Sequence, residues 1–171
     1  MSEPKEYWEN KPYAMNENHG PRKGIEAYHG RSWIPILSDT DITIHDVHFA
    51  SHTFHEIQMY YPMRAIRDHD WKLIWNIAHP LPYPFASDLW VASSWQAQYR
   101  QSLNAPYGKK TVKEYIYRPR FELYHIAKDP EETVNLADDP NQATVLLRYK
   151  EKLKSMQRKF ADPWITKWDY E

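Results

Sequence analysis

The stretch from Phe121 to Pro140, FELYHIAKDPEETVNLADDP, constrains the fold of this chain more than any other. A short apolar run, Arg120 to Ile126, reads as a strand. It enters a turn rich in acids and proline, and a helix follows at once. Asp139 stands where an N-cap belongs, Pro140 at the first helical position, and Gln142 as the partner of a capping-box arrangement. Leu146, Tyr149, Leu153, Met156 and Phe160 then recur at helical spacing and form one apolar stripe, with Lys150, Lys152, Lys154 and Arg158 largely off it. Pro163 stops the helix. Such a stripe packs on a sheet.

The sheet is sought upstream. His45 to Ser51 reads as a strand with Val47 and Phe49 on one face. Ile57 to Ile66 alternates, with Ile57, Met59, Tyr61, Met63 and Ala65 on one face and Gln58, Tyr60 and Arg64 on the other. Arg67-Asp68-His69-Asp70 connects it to a returning run, Trp71 to Ile77, so the pair predicts a β-hairpin. His79 to Pro84, HPLPYP, is too rich in proline for helix or central strand and reads as a stiff crossing. Ser87 to Leu103 predicts one helix capped by Ser87, with Trp90, Trp95 and Tyr99 near one face. Asn104 to Lys110 reads as loop, and Thr111 to Tyr117 is ambiguous. The strand at Arg120 to Ile126 is expected to join the hairpin in an antiparallel sheet. The fold class is therefore α+β: a small antiparallel β-sheet with a long C-terminal helix packed on it. Residues 1–23 are polar, with three prolines and no periodicity, and read as an arm; residues 24–171 read as the domain. Ser32 is placed to cap a short helical turn before Ile34.

Composition bounds the function. The chain has 171 residues, 22 basic and 23 acidic, for a net charge of −1. That length buries a real core, and the even balance argues against nucleic acid or an anionic membrane as partner. No apolar run of about 20 residues predicts a membrane span, and MSEPKEYWEN lacks the basic start and apolar centre of a signal peptide. Cysteine is absent, which excludes disulfides and a thiolate zinc site. Aromatic residues make up 15%, including 8 Trp and 13 Tyr. They suit either an aromatic core or a surface facing sugars or a partner.

Three clusters invite chemistry. His45, His48, His52 and His55 have spacings that would suit zinc on a helix face, but the segment reads as strand and loop, so pocket lining or surface is the default. Arg118, Arg120, Lys109, Lys110 and Lys113 lie near Tyr115 and Tyr117. They read as a solvated face, as partners for Glu122 and Glu114, or as a contact for a sulfated glycan. Asp129, Glu131, Glu132, Asp138 and Asp139 could suggest calcium, yet they occupy turn and cap positions where carboxylates satisfy backbone N–H groups.

Glu122-Leu123-Tyr124, Asp129-Pro130, and Glu132, Asn135 and Leu136 resemble the ELYD…DPxExxNLA signature near the C-terminal end of type I sulfatases. SHTFHE at Ser51 to Glu56 and MYYPMR at Met59 to Arg64 are similar to a segment of the N-sulfoglucosamine sulfohydrolases, the heparan N-sulfatases. Gly30-Arg31-Ser32, Pro80 to Pro84, Tyr115 to Tyr124 and Asp162-Pro163-Trp164 extend the likeness over most of the chain.

The resemblance implies the smaller, C-terminal domain of such an enzyme, with the alkaline-phosphatase-like catalytic domain as its missing partner. The family's nucleophile is a formylglycine made from a Cys/Ser-x-Pro-x-Arg motif, which this sequence lacks. Formylglycine and calcium are thus expected in the missing domain and no cofactor in this chain. An activated nucleophile, a cation on the sulfate oxygens and an acid for the leaving nitrogen are not all present, so the chain is expected to be inactive alone. The small domain of the family lines one side of the substrate pocket, which points to His55 and Glu56 as substrate-binding residues. A carboxylate pairs with sugar hydroxyls and an imidazole donates to a sulfo or carboxylate group. The family is usually exported or lysosomal. Two other readings stay open: a stand-alone module for acidic or sulfated glycans, and an interaction module for a protein partner.

Overall fold

The computed structural model describes residues 34–37, 46–55 and 59–170. The chain divides into two compact units, Met1–Thr43 and Ile44–Glu171. In the first, Ile34–Leu37 forms one turn of 3-10 helix, at the place expected for a helical turn. Ser32, the arm at 1–23, Glu56 and Ile57 lie outside the described residues.

The second unit is built on a four-stranded antiparallel sheet. Its strands are β1 (His48–Phe54), β2 (Tyr60–Arg67), β3 (Trp71–Asn76) and β6 (Phe121–His125), in the order β1-β2-β3-β6. The hairpin is where the alternation put it. Asp68 closes its turn by accepting from the backbone N–H of Trp71 at 3.0 Å. The α+β class is thus the observed one, with β1 running three residues beyond the expected end at Ser51.

Register decides the two faces. Arg64, Trp75 and Phe121 are cross-strand neighbours, as are Ile66, Leu73 and Leu123; Ala65, Ile74 and Glu122 point the other way. The first set meets the long helix α4 (Ala143–Lys159), whose Tyr149 and Leu153 are buried against Ile66, Leu73, Trp75 and Leu123. Leu146 and Met156 pack at the margin, and Phe160 stacks on Phe49 at 5.5 Å. The stripe read from sequence is the packed one.

The capping differs in detail. Asp139 accepts from Asn141 N–H and caps a 3-10 turn, Pro140–Gln142, from which α4 continues. Gln142 does not complete a capping box, because the Asp139 N–H already donates to the Leu136 carbonyl. The helix ends at Lys159, where Ala161 adopts a φ of 50°. A 3-10 helix, Pro163–Tyr170, then carries Trp168 back onto Trp75, ring centroids 4.0 Å apart.

The predicted helix at Ser87 to Leu103 is two helices, α1 (Ser87–Val91) and α2 (Ser93–Tyr99). Ala92 breaks them with an extended ψ of 127°, and the Ser87 side chain makes no cap. The break lets both pieces wrap one aromatic cluster: Phe85 stacks on Trp90 at 5.8 Å and meets Trp95 at 4.8 Å. A straight helix would carry Trp90 and Trp95 five positions apart, on different faces. The loop at Asn104 to Lys110 contains a two-residue ribbon, β4 (Pro106–Tyr107) with β5 (Lys110–Thr111), turning at Gly108 with φ 63°. The ambiguous segment resolves as helix α3 (Val112–Ile116), whose start is a full capping box between Thr111 and Glu114.

β6 is closed off by the NLA stretch. Asn135 accepts from Leu123 N–H at 2.8 Å and donates to the Phe121 carbonyl at 3.0 Å, and Leu136 N–H donates to the Leu123 carbonyl. A loop thereby stands in for a fifth strand and satisfies the edge. Among the described residues no helix is long and apolar enough to cross a membrane.

The hairpin turn also sets an acid sensitivity. The Asp68 carboxylate accepts from the Tyr149 hydroxyl, from Lys152 Nζ at 2.9 Å and from Trp71 N–H. Burial pushes its pKa up, but these donors outweigh it and bring it down to about 2. Because the folded value lies below the ordinary 3.8, the stabilisation is present above about pH 4 and is lost as pH falls toward 2. In melts from pH 7 to 2, Asp68→Asn is expected to be less stable than the parent by about 2 kcal/mol above pH 4. That gap should close in acid; a constant gap down to pH 2 would refute the assignment.

Candidate functional site

The strongest candidate forms where β1 ends beside the crossing after β3. The β1–β2 register shifts between His52 and Phe54, so β2 carries one extra residue around Tyr61-Pro62. Proline has no N–H for the ladder and suits such a bulge. The bulge frees the Pro62 carbonyl for Ile77 and Ala78 N–H, which pins the start of the crossing. It also leaves the Tyr61 carbonyl to accept from His52 Nδ1 at 3.1 Å. A carbonyl only accepts, so this bond puts the proton on Nδ1 and leaves Nε2 as the acceptor of the neutral ring.

A cavity of about 260 Å³ opens here, lined by His52, His55, Met59, Tyr83, Phe85 and Tyr115, with Pro84, Ala86 and Leu89 completing the wall. It is mostly apolar, with three aromatic rings and a few convergent polar groups, the usual make-up of a small-ligand site. The crossing is held by Tyr83 N–H donating to the Ile116 carbonyl at 2.7 Å. Behind the aromatic wall lies a second core of Trp95, Ala105, Val112 and Ile116. Tyr115 meets Trp95 at 5.3 Å and Tyr83 at 5.9 Å, so the wall is braced by rings rather than by hydrogen bonds.

Electrostatics near the wall are set by Arg118. Its guanidinium lies 3.6 Å from the Tyr83 ring centroid and 5.6 Å from that of Tyr115. It makes one long bond, Nε to the Tyr115 carbonyl at 3.5 Å, and no ion pair among the described residues. A cation held on ring faces keeps its charge without a carboxylate partner. Tyr61, edge-on to Tyr83 at 5.1 Å, is pushed up to about 12 by burial, with Arg118 pulling the other way. Its hydroxyl has no hydrogen-bond partner among the described residues. Burial likewise raises Tyr115.

The sequence-derived residues fall as follows. His55 is exposed at the mouth of the cavity and His52 is half-buried in it. Glu56 lies outside the described residues. Tyr83, Phe85 and Tyr115 were missed as site residues. Pro62 inside a strand pattern was the available sign of a bulge, and so of a local re-aiming of side chains. Of the histidines considered together, His48 and His52 sit on an extended strand and His45 is not described; among the described residues no group of three or more His, Asp or Glu could hold an ion.

Of the acids considered for calcium, Asp129 caps Thr133 and Val134 N–H, and Asp139 caps Asn141. Glu131 and Glu132 instead pair with Lys109 at 3.0 Å and Lys72 at 2.7 Å. In the basic group, Lys110 does approach Glu122, at 3.7 Å, while Glu114 is spent on the Thr111 cap.

A sheet of this order, with a long helix on one face and a crossing that walls a cavity, is a fold found within sulfatases. The chain aligns structurally with a 2-O GAG sulfatase at a TM-score of 0.52 and 17% identity, over 84% of this chain and 23% of that one. In sequence it is 35% identical over 140 residues to human N-sulphoglucosamine sulphohydrolase, 80% of this chain and 27% of that protein. The chain is thus sulfatase-like and related to N-sulphoglucosamine sulphohydrolase. It spans about a quarter of that relative's length. No family model matches it.

Proposed function

We propose that this chain forms the substrate-pocket-lining part of a sulfatase that removes the N-sulfate of glucosamine in heparan-type glycans, and that it does not catalyse alone. The observation that supports this best is the aromatic cavity with His52 and His55 on one side and Tyr83, Phe85 and Tyr115 on the other. Aromatic faces suit the apolar faces of a sugar ring, the His55 imidazole can donate to a sulfo oxygen, and the free Nε2 of His52, an acceptor in the neutral ring, suits a sugar hydroxyl or sulfamate N–H as donor. Glu56, next to His55 in the chain, is assigned to the sugar hydroxyls. The nucleophile and the cation on the sulfate oxygens belong in this reading to a catalytic domain. The chain has no cysteine, and no serine followed by Pro at +2 and Arg at +4.

The test is a titration of the chain with an N-sulfated heparan disaccharide, read on the imidazole resonances of His52 and His55. Both are expected to shift, with no sulfate released. The N-acetylated disaccharide should bind more weakly by about tenfold, and His55→Ala should weaken the N-sulfated ligand by about fivefold, the loss of one hydrogen bond to a charged group. Sulfate release by the chain, or equal response to both sugars, would overturn the assignment.

A further inference from the structure

The cavity wall carries a cation that no acid among the described residues answers. Arg118 follows helix α3, and its backbone is pinned on both sides. The Ile116 carbonyl accepts from Tyr83 N–H at 2.7 Å, and the Pro119 carbonyl accepts from Asn76 Nδ2 at 2.8 Å. The Arg118 guanidinium lies over the rings of Tyr83 and Tyr115, two of the residues that line the cavity. Nε makes one long bond, to the Tyr115 carbonyl, and neither Nη donates to an acceptor among the described residues. Arg64, the buried arginine of β2, instead spends all three nitrogens, on Asp162 and on the carbonyls of His52 and Met63.

The acids close to Arg118 in the chain are committed elsewhere. Glu114 is spent on the Thr111 cap. Glu122 accepts from Asn76 Nδ2 at 2.7 Å and from the Tyr124 hydroxyl at 2.5 Å, with Lys110 Nζ at 3.7 Å. The charge of Arg118 is felt at the hydroxyls of Tyr61, Tyr115 and Tyr124, where it opposes the rise that burial causes. A guanidinium braced on ring faces, with its fork unspent, suits a planar anion held by two parallel hydrogen bonds. The cavity, at about 260 Å³, is smaller than the roughly 300 Å³ at which sites for drug-sized ligands begin, so it admits one sugar ring. The next sugar of a glycan must then lie outside it, along the wall.

We infer that Arg118 binds the carboxylate of the uronic acid next to the glucosamine in the cavity, so that the site selects a disaccharide with two anionic groups. This rests on the function proposed above, which sets the sulfo group against His55, and it assigns the second charge of the substrate to a residue. Tyr83 and Tyr115 hold the cation in place, and the flat carboxylate matches the flat fork.

The experiment measures binding of two N-sulfated disaccharides to the chain, one with its uronic acid intact and one with that carboxyl group reduced to the alcohol. The parent is expected to bind the intact form about tenfold more tightly, the gain from a charge-assisted pair. In Arg118→Gln, checked for folding by a thermal melt, the preference should vanish. Arg118→Lys should restore part of it, since an ammonium keeps the charge but lacks the fork. Lys128→Gln removes one exposed positive charge beyond the far end of β6 and should leave the preference unaltered. Equal binding of the two sugars by the parent would overturn the inference without any variant. A preference that survives in folded Arg118→Gln, or one lost in Lys128→Gln, would overturn it too. The pocket reading fails separately: it is read on the His52 and His55 resonances and on the N-sulfated against the N-acetylated sugar. With those responses intact, equal binding of the intact and reduced forms strikes the Arg118 assignment alone.

Discussion

Replacing Asp162 by alanine is expected to destabilise the chain by about 3–5 kcal/mol, the cost of stranding a buried charge. The charge is Arg64, on the central strand β2. Its Nε donates to Asp162 Oδ2 at 2.6 Å and its Nη2 to Oδ1 at 2.9 Å, and the two side chains are only 4% and 5% exposed. Its remaining nitrogen donates to the carbonyls of His52 and Met63, both at 2.8 Å. Asp162 in turn accepts from Gln157 Nε2 at 3.0 Å and from Trp164 N–H at 3.1 Å.

One carboxylate thus ties the end of α4, the C-terminal 3-10 helix and the sheet together. Burial pushes its pKa up, but the donors around it prevail and hold it below the ordinary range. This share of stability is therefore full above the ordinary carboxyl range and is lost in acid. The ion pair need not be a net gain over an apolar pair of the same shape. Arg64→Met with Asp162→Leu should recover most of what either single change loses. Urea melts of the two single variants and the double variant decide it; a single-variant loss under about 1 kcal/mol would mean that the pair does not hold this junction. The site is linked to it as well. The Arg64 bond to the His52 carbonyl anchors the strand end that carries both cavity histidines, so the Asp162→Ala chain should also lose the disaccharide response.

The second large effect is expected at Trp95. Trp95→Ala should cost about 3–5 kcal/mol, as removal of a large buried aromatic does. The indole is fully buried and meets Phe85, Tyr99, Tyr107 and Tyr115, with ring centroids 4.8 to 5.7 Å away. Two of those rings, Phe85 and Tyr115, are the wall of the cavity. Deleting their support should flatten the near-UV circular dichroism and abolish the cavity response together. Trp95→Phe should be much milder than alanine. It keeps a ring and removes a buried Nε1 that has no hydrogen-bond partner among the described residues. A near-UV spectrum unchanged in the alanine variant would show that the wall stands without it.

Short-range features were legible in the sequence. The hairpin at Arg67 to Trp71, the Asp139 cap and the Leu146-to-Phe160 stripe depend on groups within a few residues of one another. Periodicity and capping report such groups directly. The break at Ala92 was not legible. Nothing in SDLWVASSW forbids a continuous helix; the aromatic cluster it must wrap overrides the local preference. The bulge at Tyr61-Pro62 was visible only as a proline in a strand pattern.

The candidate site was legible in part. His55 stood out within the SHTFHE segment, and the proline-rich crossing was recognised as stiff. The crossing was not seen as the opposite wall, because Tyr83, Phe85 and Tyr115 meet the end of β1 only once β2 and β3 have folded between them. Arg64 and Asp162 are 98 positions apart, and Gln157 is buried on the helix although its type predicts exposure. By itself the sequence determined the class of fold, the hairpin and the apolar face of the last helix, since these follow from spacing and local hydrogen bonding. Only the tertiary structure decided which distant charges are buried together and which rings enclose the cavity. Both depend on packing, which brings side chains into contact regardless of how far apart they stand in the chain.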